Sequence, residues 1–498
     1  MYKDLRIPYQ AGKSVSLQLG GIIVNSQLIP DGSAYLVLKS FNRHGLIAGA
    51  TGSGKTKTIQ VLSEQLSLAG VPSLVMDIKG DVSGLAMPGI MTDALEARYK
   101  SLNLEPTLRG FPVEFLTLSE SQPGVPLRAT VESFSSVLFA RMLDVNDTQE
   151  GVIAVLFQYA KEEKLPLIDL ADVKSLILFA QTDAGKAEIE ANYGSVAGAS
   201  LGTIMRKIVA LEAQGAAEFF GEPAFNVQDL LNVNAQSLGV ISIIRLLDMQ
   251  DKPQLFSTFM LKLLSDIYRV MPELGDPDKP KLVMFIDEAH LIFRNASKAL
   301  LNMLDTVVKL IRSKGIGIIF CTQSPNDIPE NVLSQLGLKV QHALRAFTAK
   351  DRTAMKLVAQ NFPISTYYKT EQLLTSLGIG EALVSALDAK GEPTPLIHCM
   401  IRPPESRMGV LTVQELQQIV AGSTLYPRYK QRLTINSAKD LLATAETQST
   451  AAELSNKGPS RIGVIITTIT KNTLFRQIIR QLVRDGAKAL MSLFKMKK

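Results

Sequence analysis

Residues 44–62 have the sequence HGLIAGATGSGKTKTIQVL, an apolar run followed by a glycine-rich turn, Lys-Thr and an apolar helical pattern. Within it, Gly49 to Thr56 match G-x-x-x-x-G-K-[ST] at every position. The pattern predicts a strand before the loop and a helix from Lys55 to Ala69, which is the context in which this motif binds phosphate. The sequence therefore predicts a nucleoside triphosphate site at the start of an α/β unit.

Composition limits the class of protein. The chain has 498 residues, of which 46% are hydrophobic and 20% are charged, values typical of a globular protein. No apolar run has the length needed to span a bilayer, and MYKDLRIPYQ lacks the apolar region of a signal peptide. The two cysteines, Cys321 and Cys399, lie far apart and suit a reducing compartment. We therefore expect a cytoplasmic protein.

The positive charge is concentrated in the C-terminal tail. The net charge is +6, yet residues 456–498 hold ten Lys or Arg and one Asp, which leaves 43 Lys or Arg against 46 Asp or Glu in the rest. In the tail, Arg476, Arg480, Arg484 and Lys488 recur at helical spacing. Such a basic stripe binds DNA phosphate, an anionic membrane surface or an acidic protein patch, or it is simply a solvated face.

The order of the patterns predicts an α/β core interrupted by helices. Short alternating runs predict strands near the N-terminus, amphipathic helices dominate the middle, and strands return with PKLVMFIDEAH. The predicted parts are a short N-terminal β segment (residues 1–40), the first part of the core (41–127), a largely helical insertion (128–270), the second part of the core (271–430), a linker (431–460) and a basic amphipathic helix (461–498).

The loop predicts a role for each of its residues. Lys55 reaches the β- and γ-phosphates, and the hydroxyl of Thr56 is a ligand for Mg²⁺. The residues predicted to bind the nucleotide are Gly49, Ala50, Thr51, Gly52, Ser53, Gly54, Lys55 and Thr56.

Two apolar strands end in aspartate. KLVMFIDE ends in Asp287 and Glu288, and this pair allows Asp287 to hold Mg²⁺ while Glu288 polarises the attacking water. SLVMD ends at Asp77 and continues as DIKGD, which either lines the same site or forms a surface turn. Residues 287–290 spell DEAH, but the further motifs of DEAH-box helicases are not found, and His290 is interpreted as a core or hinge residue.

Other polar residues are candidates for the reaction. Gln323 ends the strand GIGIIFCTQ, where it is placed to orient water near the γ-phosphate, and the alternative is an ordinary polar strand end. An arginine that neutralises charge in the transition state is also expected. Arg345 and Arg312 are the first candidates for this arginine, with Arg128, Arg141 and Arg294 kept as alternatives.

Taken together, the motifs resemble the HerA–FtsK branch of the RecA-like P-loop ATPases. The closer resemblance is to a bacterial HerA-like family, DUF853, over about residues 1 to 430. The motifs that carry it are NRHGLIAGATGSGKT, DIKGDVSGLA, PKLVMFIDEAHLIF, LIRSKGIGIIFCTQSPNDIP, VQHALRAFTAKD and GEALVSALDAKG.

The resemblance implies a RecA-like core, ATP and Mg²⁺ as ligands, and a hexameric ring with active sites between subunits. It further implies a motor that translocates on double-stranded DNA. One departure is that 40 residues before the core are too few for the N-terminal β-barrel of HerA proteins. The near-neutral body keeps a second hypothesis open, an oligomeric ATPase switch that remodels or recruits protein partners without DNA.

Overall fold

The structure is a computed structural model that describes residues 2–12, 14–295, 297–345, 348–434 and 436–445. The chain divides into two units, Met1–Lys439 and Asp440–Lys498. In the second unit residues 440–445 are described, and they are helical. The predicted basic helix over 461–498 lies outside the described residues and stays a prediction.

In the described part of the first unit, twelve strands form one sheet. The strands are β1 (Ser16–Val24), β2 (Gln27–Val37), β3 (Gly45–Ala48), β4 (Ser73–Asp77), β5 (Val113–Thr117), β6 (Val125–Pro126), β7 (Ile241–Arg245), β8 (Leu282–Ile286), β9 (Ile316–Thr322), β10 (Leu338–His342), β11 (Glu381–Ser385) and β12 (Ile397–Ile401). Their order across the sheet is β2-β1-β12-β11-β10-β3-β9-β8-β4-β7-β5-β6.

The sheet has a parallel part and an antiparallel part. From β10 to β6 each neighbouring pair is parallel. From β10 through β11, β12 and β1 to β2 the pairs are antiparallel. The predicted α/β class with a mostly parallel sheet is confirmed, and the carboxyl ends of eight strands meet at one edge.

Helices cover the sheet and form the middle of the chain. They are α1 (Lys3–Arg6), α2 (Lys55–Leu68), α3 (Asp93–Ser101), α4 (Ser135–Met142), α5 (Asp147–Glu162), α6 (Leu170–Gln181), α7 (Asp183–Tyr193), α8 (Gly198–Glu212), α9 (Ala216–Phe219), α10 (Pro253–Val270), α11 (His290–Asn295), α12 (Lys298–Leu310), α13 (Glu330–Leu333), α14 (Ala349–Gln360), α15 (Thr370–Ser376), α16 (Val413–Ala421) and α17 (Tyr426–Tyr429). Among the described residues, no helix is both long and apolar enough to cross a membrane.

The central strands are buried on both faces, because their side chains alternate between two hydrophobic cores. In β8, for example, Val283 and Phe285 belong to the core that includes α2 and α16. Met284 and Ile286 belong to the core that includes α10, α12 and the helical middle of the chain. Helices pack on both faces of the parallel strands, and this fixes the strand ends that carry the site.

Strand β7 lies within the region predicted as a mostly helical insertion, at the run LGVISIIRL, which itself predicts a strand. β7 lies between β4 and β5, and α10 packs against α12, so the sheet layer resumes at about residue 241 although the predicted helical insertion extends to 270. Strands β1 and β2 join the same sheet through β12. The local pattern predicts these strands but not their places in the sheet, because their partners lie far along the chain.

Candidate nucleotide site at the carboxyl edge of the sheet

The phosphate loop connects the end of β3 with the first turn of α2. Gly54 has φ +119°, a conformation that favours glycine, and a Cβ there would lie 3.1 Å from the Cα of Gly380. The loop is held from the neighbouring β10–β11 side, where Ala50 N donates to Ala343 O at 2.8 Å and Gly380 N donates to Ser53 O at 3.0 Å. These contacts fix the loop as a cradle opening at the N-terminus of α2.

Two residues of the loop motif present their side chains to the cradle. Lys55 is buried, and its Nζ donates to the carbonyl oxygens of Gly49 at 2.7 Å and Ala50 at 3.2 Å. Burial and the positive charge of Lys79 lower the pKa of Lys55. Thr56 Oγ1 donates to Asp81 Oδ2 at 3.0 Å. Both side chains lie at the start of α2 beside the loop, and their contacts with phosphate and metal stay predictions.

A buried histidine that the sequence did not single out supports the loop. His342, at the end of β10, lies between Thr58 of α2 and β11, with Nε2 2.8 Å from Thr58 Oγ1 and Nδ1 2.8 Å from Glu381 O. The carbonyl accepts from Nδ1–H, so Nε2 accepts from the threonine hydroxyl. Burial lowers the pKa of His342 to about 4, and the ring is neutral at pH 7.

The acid pair follows β8, two strands from β3. Asp287 and Glu288 are both buried. Burial and the negative charge of Glu288 raise the pKa of Asp287 to about 7. Glu288 has φ +46°, a conformation that few non-glycine residues adopt, and such strain is frequent at functional sites. Its carboxylate forms an ion pair with Lys79 and lies 3.0 Å from His290 Nδ1.

Strand β9 joins the loop to the acid pair. It lies between β3 and β8, and at its end Gly49 N donates to Thr322 O at 3.3 Å while Ala289 N donates to Cys321 O at 2.8 Å. The next residue is Gln323, whose side chain is exposed. Gln323 thus follows a strand that contacts both the phosphate loop and the segment of the acid pair.

The DIKGD segment lines the site rather than forming a detached surface turn. Asp77 Oδ1 accepts from Gly80 N at 2.7 Å and from Asp81 N at 3.3 Å, which folds the chain back after β4. Gly80 has φ +78°, as this tight turn requires. Burial and the charge of Asp81 raise the pKa of Asp77 to about 6. The turn brings Lys79 to Glu288 and Asp81 to Thr56.

The oxygen groups near Thr56 fit magnesium. Asp81 Oδ1 is buried and has no hydrogen-bond partner, and it adjoins the hydroxyl of Thr56. Oxygen donors of this kind suit Mg²⁺, which is commonly held by one or two side chains together with phosphates of the substrate. Among the described residues, no group of three or more His, Cys, Asp or Glu is arranged to hold a metal alone.

The candidate arginines lie at different edges of the sheet. Arg345 is exposed three residues after β10, on the same edge as the loop. Arg312 precedes β9, at the opposite edge, and pairs with Asp276 at 3.2 Å. Arg128 is buried and donates to Tyr429 O, Arg141 is exposed, and the side chain of Arg294 lies outside the described part of the chain.

Comparison with known proteins agrees with this geometry. The chain is 24% identical over 384 residues to the DNA double-strand break repair helicase HerA of Saccharolobus solfataricus, covering 75% of this chain and 67% of that protein. It is 23% identical over 361 residues to the protein of the same name from Sulfolobus acidocaldarius, covering 70% of this chain and 63% of that protein. The chain thus spans about two thirds of the length of these relatives.

Solved structures share the fold. The plasmid coupling protein TrwB in complex with a non-hydrolysable ATP analogue has a TM-score of 0.52 at 12% identity, covering 81% of this chain and 98% of that one. TrwB in complex with ADP and Mg²⁺ has a TM-score of 0.51 at 13% identity, covering 81% of this chain and all of that one. At such identities the likeness concerns the fold alone.

The family assignment is independent of these pairwise likenesses. The sequence model of the family described as Helicase HerA-like C-terminal matches residues 24–488, which is most of the chain. The matched range contains the phosphate loop, the acid pair and Gln323. The chain belongs to the Helicase HerA-like C-terminal family and is a P-loop ATPase.

Proposed function

We propose that the chain is an ATP-driven motor that translocates on double-stranded DNA as a ring, with six subunits as the assembly. The observation that carries the chemistry is that the phosphate loop, Gln323 and the acid pair follow three adjacent parallel strands, β3, β9 and β8. Phosphate, water and metal ligands thus meet at one edge. DNA as the substrate is supported by the names of the HerA relatives.

Each residue then has one task. Lys55 holds the β- and γ-phosphates of ATP, and Thr56 and Asp287 are the side chains that would hold Mg²⁺, which neutralises phosphate charge when bound. Glu288 accepts a proton from the water that attacks the γ-phosphorus in line, and Gln323 orients that water. The bond between the γ-phosphorus and the bridging oxygen breaks, and ADP leaves with that oxygen.

An arginine would complete the site. Arg345 lies at the edge of its own phosphate loop, whereas Arg312 lies at the opposite edge and pairs with Asp276. In a ring, Arg312 would therefore serve a neighbouring subunit, and Arg345 its own or an adjoining site. An arginine of either origin would neutralise charge that develops on the γ-phosphate.

A second candidate function is an oligomeric ATPase that remodels or recruits a protein partner without DNA. The observation that favours it is the charge balance, because the first 455 residues hold 43 Lys or Arg against 46 Asp or Glu. A body of this kind lacks a uniformly positive surface for nucleic acid. In this case hydrolysis is indifferent to DNA, and a partner is bound in one nucleotide state.

The experiment is a steady-state ATPase assay on the full chain with and without linear double-stranded DNA, from about 50 to 200 mM salt, the range over which phosphate contacts weaken. The motor predicts a rate that DNA raises several-fold, with stimulation that declines as salt rises because counterion release drives DNA binding. Lys55→Ala is the control that assigns the measured rate to this site. A rate indifferent to DNA at every salt concentration would contradict the motor and favour the protein-remodelling function.

A further inference from the structure

The general base assigned above is engaged by a neighbouring lysine. The side chain of Glu288 is 4% exposed, and its Oε1 contacts Lys79 Nζ, whereas Oε2 lies 3.0 Å from His290 Nδ1. The side chain of Lys79 is 39% exposed, so its ammonium group lies between the buried acid and solvent. Both carboxylate oxygens thus have a nitrogen neighbour, and the more solvent-accessible neighbour is the lysine.

The position of Lys79 is set by the turn that follows β4. Asp77 accepts from the backbone N–H groups of Gly80 and Asp81, and Gly80 has φ +78°. A tight turn anchored at both ends leaves Lys79 projecting toward β8 rather than along the surface. The same turn brings Asp81 to the hydroxyl of Thr56. One short segment therefore contacts both the base and a residue predicted to bind the metal.

The charges explain why this contact persists. Burial lowers the pKa of Lys79, but the contact with Glu288 and the nearby Asp287 and Asp81 outweigh it and raise the pKa. Lys79 is therefore cationic near neutral pH. Its ammonium group contacts the buried carboxylate of Glu288 on the side that faces solvent. It also occupies an oxygen that would otherwise accept a proton from water.

We propose that Lys79 is a positioning residue that restrains Glu288, keeping ATP hydrolysis slow until the DIKGD turn moves. The restraint rests on the proposed role of Glu288 as base. Once Lys79 withdraws, Glu288 accepts the proton of the attacking water, the new bond forms at the γ-phosphorus and ADP departs. The contact between Asp81 and Thr56 couples the turn to the phosphate loop, and the restraint persists in the ATP-bound chain until DNA binding moves the turn.

The test compares Lys79→Met with the parent chain in Mg²⁺ and ATP without DNA. Methionine keeps the length of the side chain and removes its charge. We expect kcat to rise about fivefold, an estimate from the lost charge contact, and the ratio of DNA-stimulated to basal rate to fall in proportion. Lys79→Arg keeps the charge and should restore the parent rate. Lys309→Met, which breaks an exposed pair with Asp305 on α12, is the matched control and should change nothing.

Binding separates this role from a direct contact with phosphate. The affinity for a fluorescent non-hydrolysable ATP analogue should change less than about threefold in Lys79→Met, because the cradle is formed by other groups. Lys79→Gln should behave like Lys79→Met if either variant is hard to purify. A kcat that falls, stays within twofold of the parent, or is accompanied by a large loss of analogue affinity would overturn the proposal.

Glu288→Gln distinguishes failure of this inference from failure of the proposed chemistry. The double variant Lys79→Met, Glu288→Gln should be as slow as Glu288→Gln alone. If Glu288→Gln is inactive while Lys79→Met matches the parent, the restraint by Lys79 is wrong and the base assignment stands. If Glu288→Gln hydrolyses ATP at the parent rate, the base assignment is wrong, and the restraint is overturned with it.

Discussion

The two edges of the parallel sheet each carry a cluster of charges, and the clusters differ in burial. At the carboxyl edge Lys55, Asp287 and Glu288 are buried, and burial moves the pKa of Asp287 up and that of Lys55 down. At the amino edge Asp276 is exposed and lies 3.2 Å from both Lys39 and Arg312. Burial of charge costs stability, so a cluster that keeps buried charges indicates chemistry, whereas solvated pairs contribute little.

The largest contrast is expected for the two lysines Lys55 and Lys309, one at each edge. Lys55→Ala removes the cation that contacts the β- and γ-phosphates, and turnover should fall about 1000-fold or more, the upper range for losing one charge-stabilising group. Lys309→Ala removes only an exposed pair with Asp305, and its rate should match the parent. Steady-state ATPase assays and nucleotide titrations check both variants. If the two substitutions lower the ATPase rate equally, the assignment of the active site to the carboxyl edge is wrong.

Two exposed glutamines sharpen the comparison. Gln323 follows β9 at the carboxyl edge, and Gln335 lies before β10 at the amino edge. Gln323→Ala should lower kcat about tenfold to a hundredfold with little change in ATP affinity, because the side chain acts on the attacking water. Gln335→Ala should leave both quantities unchanged. If Gln323→Ala has the kcat of the parent, Gln323 has no role in the reaction and is an ordinary polar residue at a strand end.

Acid stability tests the amino edge. His44 is buried, with Nε2 2.7 Å from Val308 O and Nδ1 accepting from Ile318 N at 3.0 Å, and burial lowers its pKa to about 4. Below pH 6.5 the unfolded chain binds a proton at His44 that the folded chain does not bind, so the contribution of His44 lowers the free energy of unfolding by about 1.4 kcal/mol per pH unit between 6.5 and 4. His44→Gln should flatten that dependence in thermal unfolding measured across this range. His342 carries the same depressed pKa and contributes a slope of the same sign in both chains, whereas the raised pKa values of Asp77 and Asp287 contribute slopes of the opposite sign in both.

The smallest effect is expected for the amino-edge ion pairs. Burial opposes ionisation of Asp276, but Lys39 and Arg312 outweigh it and hold its pKa below the ordinary value. Asp276→Asn should destabilise the fold by less than about 1 kcal/mol, as is usual for exposed pairs, and leave ATPase within twofold of the parent. Thermal unfolding and ATPase rates measure this. A large loss of rate would instead indicate that Asp276 positions Arg312 for a role in a neighbouring subunit's site.

Local patterns predicted the parts of the site that lie within short segments. The phosphate loop follows from eight consecutive residues between a strand and a helix, and the acid pair follows an apolar run. Each needs only neighbours along the chain for its recognition. The family and the α/β class are confirmed, whereas the individual catalytic roles stay predictions.

Long-range contacts account for what the sequence did not predict. His342 contacts Thr58 across 284 positions, and Lys79 meets Glu288 only because β4 and β8 are neighbours in the sheet. From the sequence alone, DIKGD is either a segment that lines the site or a surface turn. The order of the strands in the sheet decides between the two. Strands β5 and β12 lack a strong local pattern and are held by their partners.

The measurement that tests the central claim most directly is made on Glu288→Gln in the presence of Mg²⁺. It records the affinity for ATP and the rate of phosphate release from bound ATP in one preparation. If Glu288 is the base at the carboxyl edge, ATP affinity stays within about threefold of the parent while phosphate release slows about 100-fold or more. Phosphate release at the parent rate, with ATP bound normally, would contradict the assignment of the acid pair and the mechanism built on it.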